Sequence, residues 1–239
     1  MIKKAVIMAA GLGSRFGKRT ESIPKCFIEV HGVSMIERSI ETLIDCGIEE
    51  IIIGTGYRQE AFSVLGEQYP EISFCYNPLY AETNSMWTLY NCRDLIGEGD
   101  FLLLESDLVY EKKALLSLME DGRKDLLLAS EPIKFQDAYY VSVDKDNVLN
   151  GCSTEKGSLK VYGEFVGIHK LSTRFYAALC SYFSTIIEVS PRLGYEYGLL
   201  EISSSTVPMF VKKAADLIWY EIDDEKDLHF VEETLKFRS

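Results

Sequence analysis

The sequence has no apolar run that approaches the roughly 18 residues needed for a membrane-spanning helix. Its first eight residues begin like a signal peptide, with two lysines before an apolar stretch. They run directly into a glycine loop, however, and have neither an extended apolar region nor a cleavage site. We therefore expect a core strand at this position, no membrane insertion and a cytoplasmic protein.

Closely spaced cysteines and long basic runs are absent as well. The six cysteines lie far apart, with no CxxC pair, so we expect reduced thiols in the core rather than disulfides or a zinc site. The formal net charge is −12, and no run of lysine and arginine is longer than two residues, which argues against a nucleic-acid partner. The three histidines have no metal-ligand spacing, and no Ser/His/Asp or Cys/His set is evident.

No linker, repeat or low-complexity segment divides the 239 residues, so we predict one domain over residues 1–239. In residues 1–125, the nucleotide-binding half, apolar strand signals alternate with helix signals, one of which is a capping box from Ser34 to Glu37. The clearest strand signals lie at residues 5–8, 51–53 and 101–104. This β-α-β rhythm predicts an α/β fold with a doubly wound, mostly parallel sheet.

The pattern changes after residue 125. In residues 126–239, the acceptor-binding half, the strand signals lie at residues 126–129, 139–143, 148–152, 160–169 and 209–212. Helix signals begin at Ser172, after Gly194 and at Asp227. The short turn between the second and third of these strands predicts a hairpin. We therefore expect antiparallel strands to be added over the carboxyl edge of the sheet, where α/β proteins form their sites.

A glycine loop follows the first strand directly. Gly11 and Gly13 allow a tight turn that brings backbone N–H groups against phosphate oxygens. The loop is not the dinucleotide fingerprint, because Phe16 stands where the third glycine is required. It is not a Walker loop either, because no glycine lies five residues before Gly17 and Arg19 replaces the Ser/Thr. Alone, the loop predicts either a phosphate site or an ordinary tight turn.

The residues after the loop narrow this choice. Arg15 follows it at once, and Pro24-Lys25 comes ten residues later. The string A-A-G-L-G-S-R, followed by P-K and a further glycine, resembles the signature of nucleoside-triphosphate transferases of the MobA-like and sugar-nucleotidyltransferase superfamily. The resemblance implies that Lys25 and Arg15 are the catalytic cations that neutralise a triphosphate. It also implies that the loop wraps that triphosphate through Ala10, Gly11, Leu12, Gly13 and Ser14.

Two aspartates follow apolar strand signals in the same arrangement. Asp107 comes after residues 101–104 and Asp223 after residues 219–222, and such positions face the ligand crevice of a parallel sheet. Mg²⁺ takes one or two protein carboxylates together with phosphate oxygens and waters. The resemblance assigns Mg²⁺ to Asp107 and Asp223. The alternative for Asp223 is a helix N-cap, and Glu105 is a neighbour that supports the ligands.

The resemblance also places the pyrimidine base and the ribose. It assigns them to Met8, Ala10, Thr55, Gly56, Tyr57, Asn84 and Ser85. Asn84 as the N-cap of a helix explains that residue equally well, and discrimination between CTP and UTP stays open, because it depends on backbone geometry.

The acceptor pocket is the least explicit part of the sequence. Aromatic residues combined with carboxylates suit a small cation, and they predict acceptor contacts at Asp137, Tyr139, Tyr195, Glu196 and Glu201. The alternative is a set of amphipathic helix faces whose tyrosines reach the surface.

The chain looks most like the small bacterial cytidylyltransferases that activate aminoalkyl phosphorus compounds. That resemblance implies Mg²⁺-dependent transfer of CMP from CTP to 2-aminoethylphosphonate, with release of pyrophosphate, for decoration of the cell surface with phosphonates. Carboxylates favour this primary ammonium over phosphocholine, while sugar 1-phosphates stay open as acceptors. A nicotinamide-dependent enzyme and an inactive regulatory module fit less well, because the third glycine is absent and all four charged ligands are present. The oligomeric state, monomer or homodimer, and membership of a longer protein also stay open.

Overall fold

The computed structural model describes residues 2–134 and 138–235. The strands in these ranges are β1 (Lys4–Ala9), β2 (Glu29–Val30), β3 (Val33–Ser34), β4 (Glu50–Thr55), β5 (Ile72–Tyr76), β6 (Phe101–Glu105), β7 (Leu108–Tyr110), β8 (Leu126–Ser130), β9 (Tyr140–Val143), β10 (Leu149–Ser153), β11 (Gly163–Leu171), β12 (Phe210–Ala214) and β13 (Trp219–Glu221). The α-helices are α1 (Met35–Asp45), α2 (Ser63–Gln68), α3 (Ser85–Asn91), α4 (Arg93–Ile96), α5 (Lys113–Met119), α6 (Thr173–Ile186), α7 (Tyr195–Ser205) and α8 (Glu225–Thr234). None of these helices is long and apolar enough to cross a membrane.

Nine strands form one sheet, with β10-β9-β11-β6-β1-β4-β5 as its main order. Off this order, β8 pairs with β11, and β12 pairs with β8. β1 pairs in parallel with both β4 and β6, and β4 pairs in parallel with β5. β11 runs antiparallel to β6, β8 and β9. The predicted α/β fold, with a parallel sheet extended by antiparallel strands from the second half, is confirmed.

Helices cover both faces of the sheet. Side chains alternate along β1, so Val6 and Met8 enter a buried cluster with residues of α3, α6 and α7. Ala5 and Ile7 point the other way, into a second cluster with residues of α1 and α5. Because both faces are buried, the strands are continuous apolar runs rather than alternating ones.

A two-stranded ribbon joins two distant segments near the carboxyl edge of the sheet. The sequence pattern did not predict this pairing. β13 pairs antiparallel with β7, and the N–H of Ile222 donates to the carbonyl oxygen of Asp107 at 2.9 Å. β7 is only three residues long, too short to show a strand pattern of its own. The ribbon therefore fixes the segment that follows β6 against the segment that follows β13.

The last helix begins two residues before its predicted start. The Asp224 carboxylate accepts from the N–H groups of Lys226 and Asp227 and caps α8. Because Asp224 is the cap, the side chain of Asp223 is available for other contacts.

Candidate active site

The site lies where the carboxyl ends of β1 and β6 meet. Met8 pairs with Glu105 there, the glycine loop leaves β1, and the β7–β13 ribbon brings in Asp223. Two adjoining clefts of about 350 and 230 Å³ open at this edge. The predicted residues that line one or both clefts are Met8, Ala10, Gly11, Leu12, Gly13, Ser14, Arg15, Lys25, Asn84, Ser85, Asp107, Tyr195, Glu196 and Asp223.

A larger cleft, of about 420 Å³, lies at the opposite edge of the sheet, beside the amino end of β1. Its lining mixes both signs of charge, and several of the lysines are paired with neighbouring carboxylates, as in Lys4–Glu50 and Lys124–Asp100. It contains neither the glycine loop nor the aspartates that follow the strands. We therefore take the two clefts at the carboxyl edge as the candidate active site.

Gly13 packs the glycine loop against Lys25. Its φ of +61° is a backbone conformation that favours glycine. A Cβ there would also lie 2.7 Å from the Cβ of Lys25, which is closer than atoms pack. At Gly11 an added Cβ would meet nothing within 4 Å. The loop is thus tight against Lys25 and open on the side where a ligand would approach.

Lys25 joins the two predicted metal-binding aspartates. Its Nζ donates to Asp107 Oδ2 at 2.7 Å and to Asp223 Oδ1 at 2.8 Å. The Arg15 guanidinium lies 2.9 Å from the same Oδ1 of Asp223. The structure therefore brings all four predicted charged residues into one group.

The ionisation of this group follows from burial and charge together. Burial alone would lower the pKa of Lys25, but Asp107 and Asp223 outweigh it and raise the pKa above its ordinary value of 10.5. For Asp223, burial would raise the pKa, but Lys25 and Lys134 lower it to about 2. Both side chains are therefore charged at neutral pH.

A second acidic group shares Asp107. Glu105, Asp107 and Glu221 each offer an oxygen, and these atoms all lie within 4.8 Å of one another. Carboxylate oxygens are the protein ligands that Mg²⁺ accepts, so the residues present fit a hard divalent cation. Asp107 belongs both to this group and to the predicted pair with Asp223. The predicted pair stays a prediction.

Three of the predicted base-binding residues lie behind the glycine loop rather than among the described lining of either cleft. Thr55 is buried, and its hydroxyl donates to the carbonyl oxygen of Cys75 at 3.4 Å. The N–H of Tyr57 donates to the carbonyl oxygen of Ala10 at 3.2 Å. A Cβ on Gly56 would lie 2.6 Å from that same oxygen. These residues support the loop, and their contact with a nucleotide stays a prediction.

Asn84 and Ser85 have structural roles as well as cleft positions. The Asn84 side chain accepts from the N–H of Ser85 at 2.8 Å and caps α3, so the alternative explanation for Asn84 is confirmed. The Ser85 hydroxyl oxygen accepts from the N–H of Tyr195 at 2.9 Å. The start of α3 is thereby joined to the start of α7.

On the acceptor side, Tyr195 and Glu196 line the smaller cleft. The Tyr195 hydroxyl donates to Glu105 Oε1 at 2.8 Å and lies 3.1 Å from Nε2 of the buried His169. Oε2 of Glu196 is buried and has no hydrogen-bond partner among the described residues. Burial raises the pKa of Glu196 to about 7. Glu196 therefore places a buried carboxyl group at the smaller cleft, and no cation pairs with it in the part of the chain that the structure describes.

The other predicted acceptor residues are placed differently. Tyr139 packs its ring 6.1 Å from that of Tyr197, outside the described lining of both clefts. Glu201 is exposed on α7, because a spacing of five residues from Glu196 reaches a different helix face. Asp137 lies outside the described residues.

Two charged residues of the site were missed by the sequence predictions. Glu221 precedes Asp223 by two positions, and strand alternation puts the two on one face, so the signal for Glu221 was present. Lys134, whose Nζ lies 2.8 Å from Asp223 Oδ2, is a single lysine in a loop and gave no signal.

The chain is similar to a known protein family and to several curated proteins. A family model described as the MobA-like NTP transferase domain matches residues 5–137, more than half of the chain. A 2-aminoethylphosphonate cytidylyltransferase of Lancefieldella rimae is 40% identical over 105 residues, which cover 44% of this chain and 43% of that protein. A CMP-5'-(3-aminopropyl)phosphonate synthase of Streptomyces rubellomurinus is 28% identical over 94% of this chain and 37% of its own length. A choline-phosphate cytidylyltransferase of Haemophilus influenzae is 34% identical over 47% of each chain. The chain thus spans less than half of the length of these three curated relatives.

Solved structures share the whole fold. The CTP:phosphocholine cytidylyltransferase of Streptococcus pneumoniae has a TM-score of 0.84 at 23% identity, over 99% of this chain and all of that chain. The inositol-1-phosphate CTP transferase of T. maritima has a TM-score of 0.81 at 17% identity, over all of this chain and 98% of the other. At these identities, the similarity shows the fold alone.

Proposed function

Because the chain belongs to the MobA-like NTP transferase domain family, we propose that it transfers CMP from CTP to a small phosphonate or phosphate acceptor and releases pyrophosphate. The observation that carries the proposal is the group formed by Arg15, Lys25, Asp107 and Asp223 beneath an open glycine loop. Cations and backbone N–H groups suit a triphosphate, and the carboxylates suit its metal.

The proposed reaction needs no protein nucleophile. An anionic oxygen of the acceptor attacks the α-phosphorus of CTP and forms the new O–P bond. The bond between the α-phosphorus and the bridging oxygen breaks, and its electron pair leaves with pyrophosphate. The enzyme contributes alignment and charge stabilisation. Lys25 would contact the α-phosphate and the acceptor, while Arg15 and the loop N–H groups would hold the leaving pyrophosphate.

The metal assignment centres on Asp107. We propose that Asp107 and Asp223 hold Mg²⁺, with Glu105 and Glu221 close enough to Asp107 to complete or support the site. When bound, the ion supplies neutralising charge and polarises the α-phosphate. Lys25 contacts both aspartates, and its charge, together with that of Lys134, lowers the pKa of Asp223.

For the acceptor we propose 2-aminoethylphosphonate, which would give CMP-2-aminoethylphosphonate as an activated headgroup for the cell surface. The buried Oε2 of Glu196 has no partner among the described residues, and a primary ammonium can donate a hydrogen bond to such an oxygen. Tyr80 and Tyr195 are the aromatic side chains in the described lining of the smaller cleft, fewer than a full cage for a quaternary ammonium. Phosphocholine is the second candidate, supported by the similarity to choline-phosphate cytidylyltransferases.

Pyrophosphate release from each of the four NTPs, against a panel of phosphonate, phosphocholine and sugar 1-phosphate acceptors, tests this proposal. We expect the highest kcat/KM with CTP and 2-aminoethylphosphonate. A preference for phosphocholine would replace the acceptor and leave the nucleotide in place. Turnover only with UTP would refute the cytidylyltransferase assignment, and turnover only with sugar phosphates would refute the aminoalkyl acceptor. Neither result would refute nucleotidyl transfer. Release with no pair of substrates would refute both.

A further inference from the structure

Lys134 contacts Asp223, as Lys25 does, but it lies outside the described lining of both clefts. Its side chain is only 4% exposed, and its Nζ lies 2.8 Å from Asp223 Oδ2 and 3.2 Å from Glu221 Oε2. Asp227 Oδ2 is 3.7 Å away. A lysine this buried is not a surface counter-ion, and it reaches the clefts through Asp223 and Glu221, which belong to their lining.

The backbone at Lys134 is held in place by a buried carboxylate from the sheet. Glu164 in β11 is 1% exposed, and its Oε2 accepts from the N–H of Ile133 at 2.6 Å and from the N–H of Lys134 at 3.1 Å. Burying a carboxylate is costly unless it is well hydrogen-bonded. The hydrogen bonds of Glu164 fix the loop that carries Lys134. The fold therefore determines the position of the lysine.

The two oxygens of Asp223 face different cations. Oδ2 contacts Lys134, whereas Oδ1 contacts Lys25 at 2.8 Å and Arg15 at 2.9 Å. A carboxylate is planar and rigid, so holding one oxygen sets the direction of the other. The N–H of Asp223 also donates to Asp227 Oδ2 at 2.8 Å, which fixes the backbone from the same side.

We propose that Lys134 is a positioning residue for triphosphate binding, an inference that rests on the proposed function. By holding Oδ2 of Asp223, it turns Oδ1 toward Lys25 and Arg15 and so orients the two cations that would meet the phosphates. It also supplies a fixed positive charge to Asp223 and Glu221. Without that charge, Lys25 becomes the main counter-ion of the acidic group and is less available to phosphate.

The test compares Lys134→Met with Lys134→Arg and with a matched control, Lys212→Met. Lys212 is also partly buried and ion-paired, 3.1 Å from Asp121 Oδ2, but it lies away from the two clefts. The dissociation constant for CTP is measured by calorimetry, both with Mg²⁺ and in a chelator, together with kcat and KM for CTP. We expect Lys134→Met to weaken CTP binding at least about tenfold, the effect of one charge-assisted hydrogen bond, in both conditions. Lys134→Arg should recover most of that loss, and Lys212→Met should stay near wild type.

An Asp223→Asn background separates positioning from a general structural effect. If Lys134 acts through Asp223, adding Lys134→Met there causes little further loss of CTP affinity. A full, additive loss in that background overturns the inference, as does wild-type CTP binding by Lys134→Met. If Lys134→Met does not fold, Lys134→Met with Asp227→Asn removes one cation and one anion together, and it should show the same loss. A wild-type chain that binds no NTP would overturn the proposed function, and this inference with it.

Discussion

Replacing Lys25 with methionine removes the cation that joins Asp107 and Asp223. The Lys25 side chain is 13% exposed, and its amine lies 2.7 and 2.8 Å from the two carboxylates. Methionine keeps an apolar stem of similar length and loses the charge. By analogy with a lost oxyanion donor, one preorganised contact to developing charge contributes about 10²–10³ in kcat, or about 3–4 kcal/mol. We therefore expect the turnover of CTP to fall by about 100-fold or more.

The same change has a smaller effect on folding stability. Removing one partner of a fully buried ion pair costs about 3–5 kcal/mol. Here Asp107 is 23% exposed, and Asp223 keeps Arg15 and Lys134 as partners. Because solvent and the remaining partners compensate in part, we expect the free energy of unfolding to fall by about 1–2 kcal/mol. The variant then stays folded in the assay.

Lys4→Met is the matched control for this experiment. Its side chain is 14% exposed, and its amine donates to the carbonyl oxygen of Ile96, at the opposite end of β1 from the glycine loop. The assay is steady-state pyrophosphate release with CTP and 2-aminoethylphosphonate, with the melting temperature of each variant measured in the same buffer. If Lys25→Met keeps turnover close to that of the control, the role of Lys25 in this account is refuted.

Two further predictions concern the acceptor side and the loop. The pKa of Glu196 is about 7 in the folded chain, against an ordinary value of 4.5. Ionisation of Glu196 therefore lowers the free energy of unfolding. This destabilisation is absent below pH 4.5, grows between pH 4.5 and pH 7, and is constant above pH 7. Glu196→Gln should therefore stabilise the protein at pH 8.5, by up to about 3 kcal/mol, and raise its melting temperature there but not at pH 4.5. It should also raise the KM for the acceptor. An equal shift of the melting temperature at both pH values would refute this. Gly13→Ala should lose both stability and CTP turnover, because its φ is +61° and its Cβ would collide with Lys25. Gly47→Ala, with a φ of +82° but open space around it, should lose stability alone, as monitored by urea unfolding and pyrophosphate release.

Much of the fold could be predicted from local pattern. Continuous apolar runs separated by capping and glycine signals identified β1, β4 and β6, because strands covered on both faces require them. The β7–β13 ribbon could not be predicted this way, since it pairs segments more than a hundred residues apart and β7 has only three residues. That ribbon is what brings Asp223 beside Asp107.

The site, like the fold, could be predicted only in part from the sequence. Arg15 and Lys25 were predicted from the family resemblance of the loop and the Pro24-Lys25 pair, and Asp107 and Asp223 from their positions after apolar strand signals together with that resemblance. The structure brings the four together. Lys134 gave no signal, because its role arises from the loop anchored by Glu164 and from the distance to Asp223. Glu201 was grouped with Glu196 as a carboxylate at helical spacing, but the spacing of five residues places Glu201 on an exposed face of α7.

The central claim is the transfer of CMP itself, and the most direct measurement is identification of the product. Purified chain, CTP, Mg²⁺ and 2-aminoethylphosphonate are combined, and the mixture is followed by phosphorus NMR and mass spectrometry. The account predicts CMP-2-aminoethylphosphonate and pyrophosphate in equal amounts, with neither formed by Asp107→Asn. Consumption of CTP without a CMP-linked product, or no consumption with any phosphonate or phosphate acceptor, would contradict it.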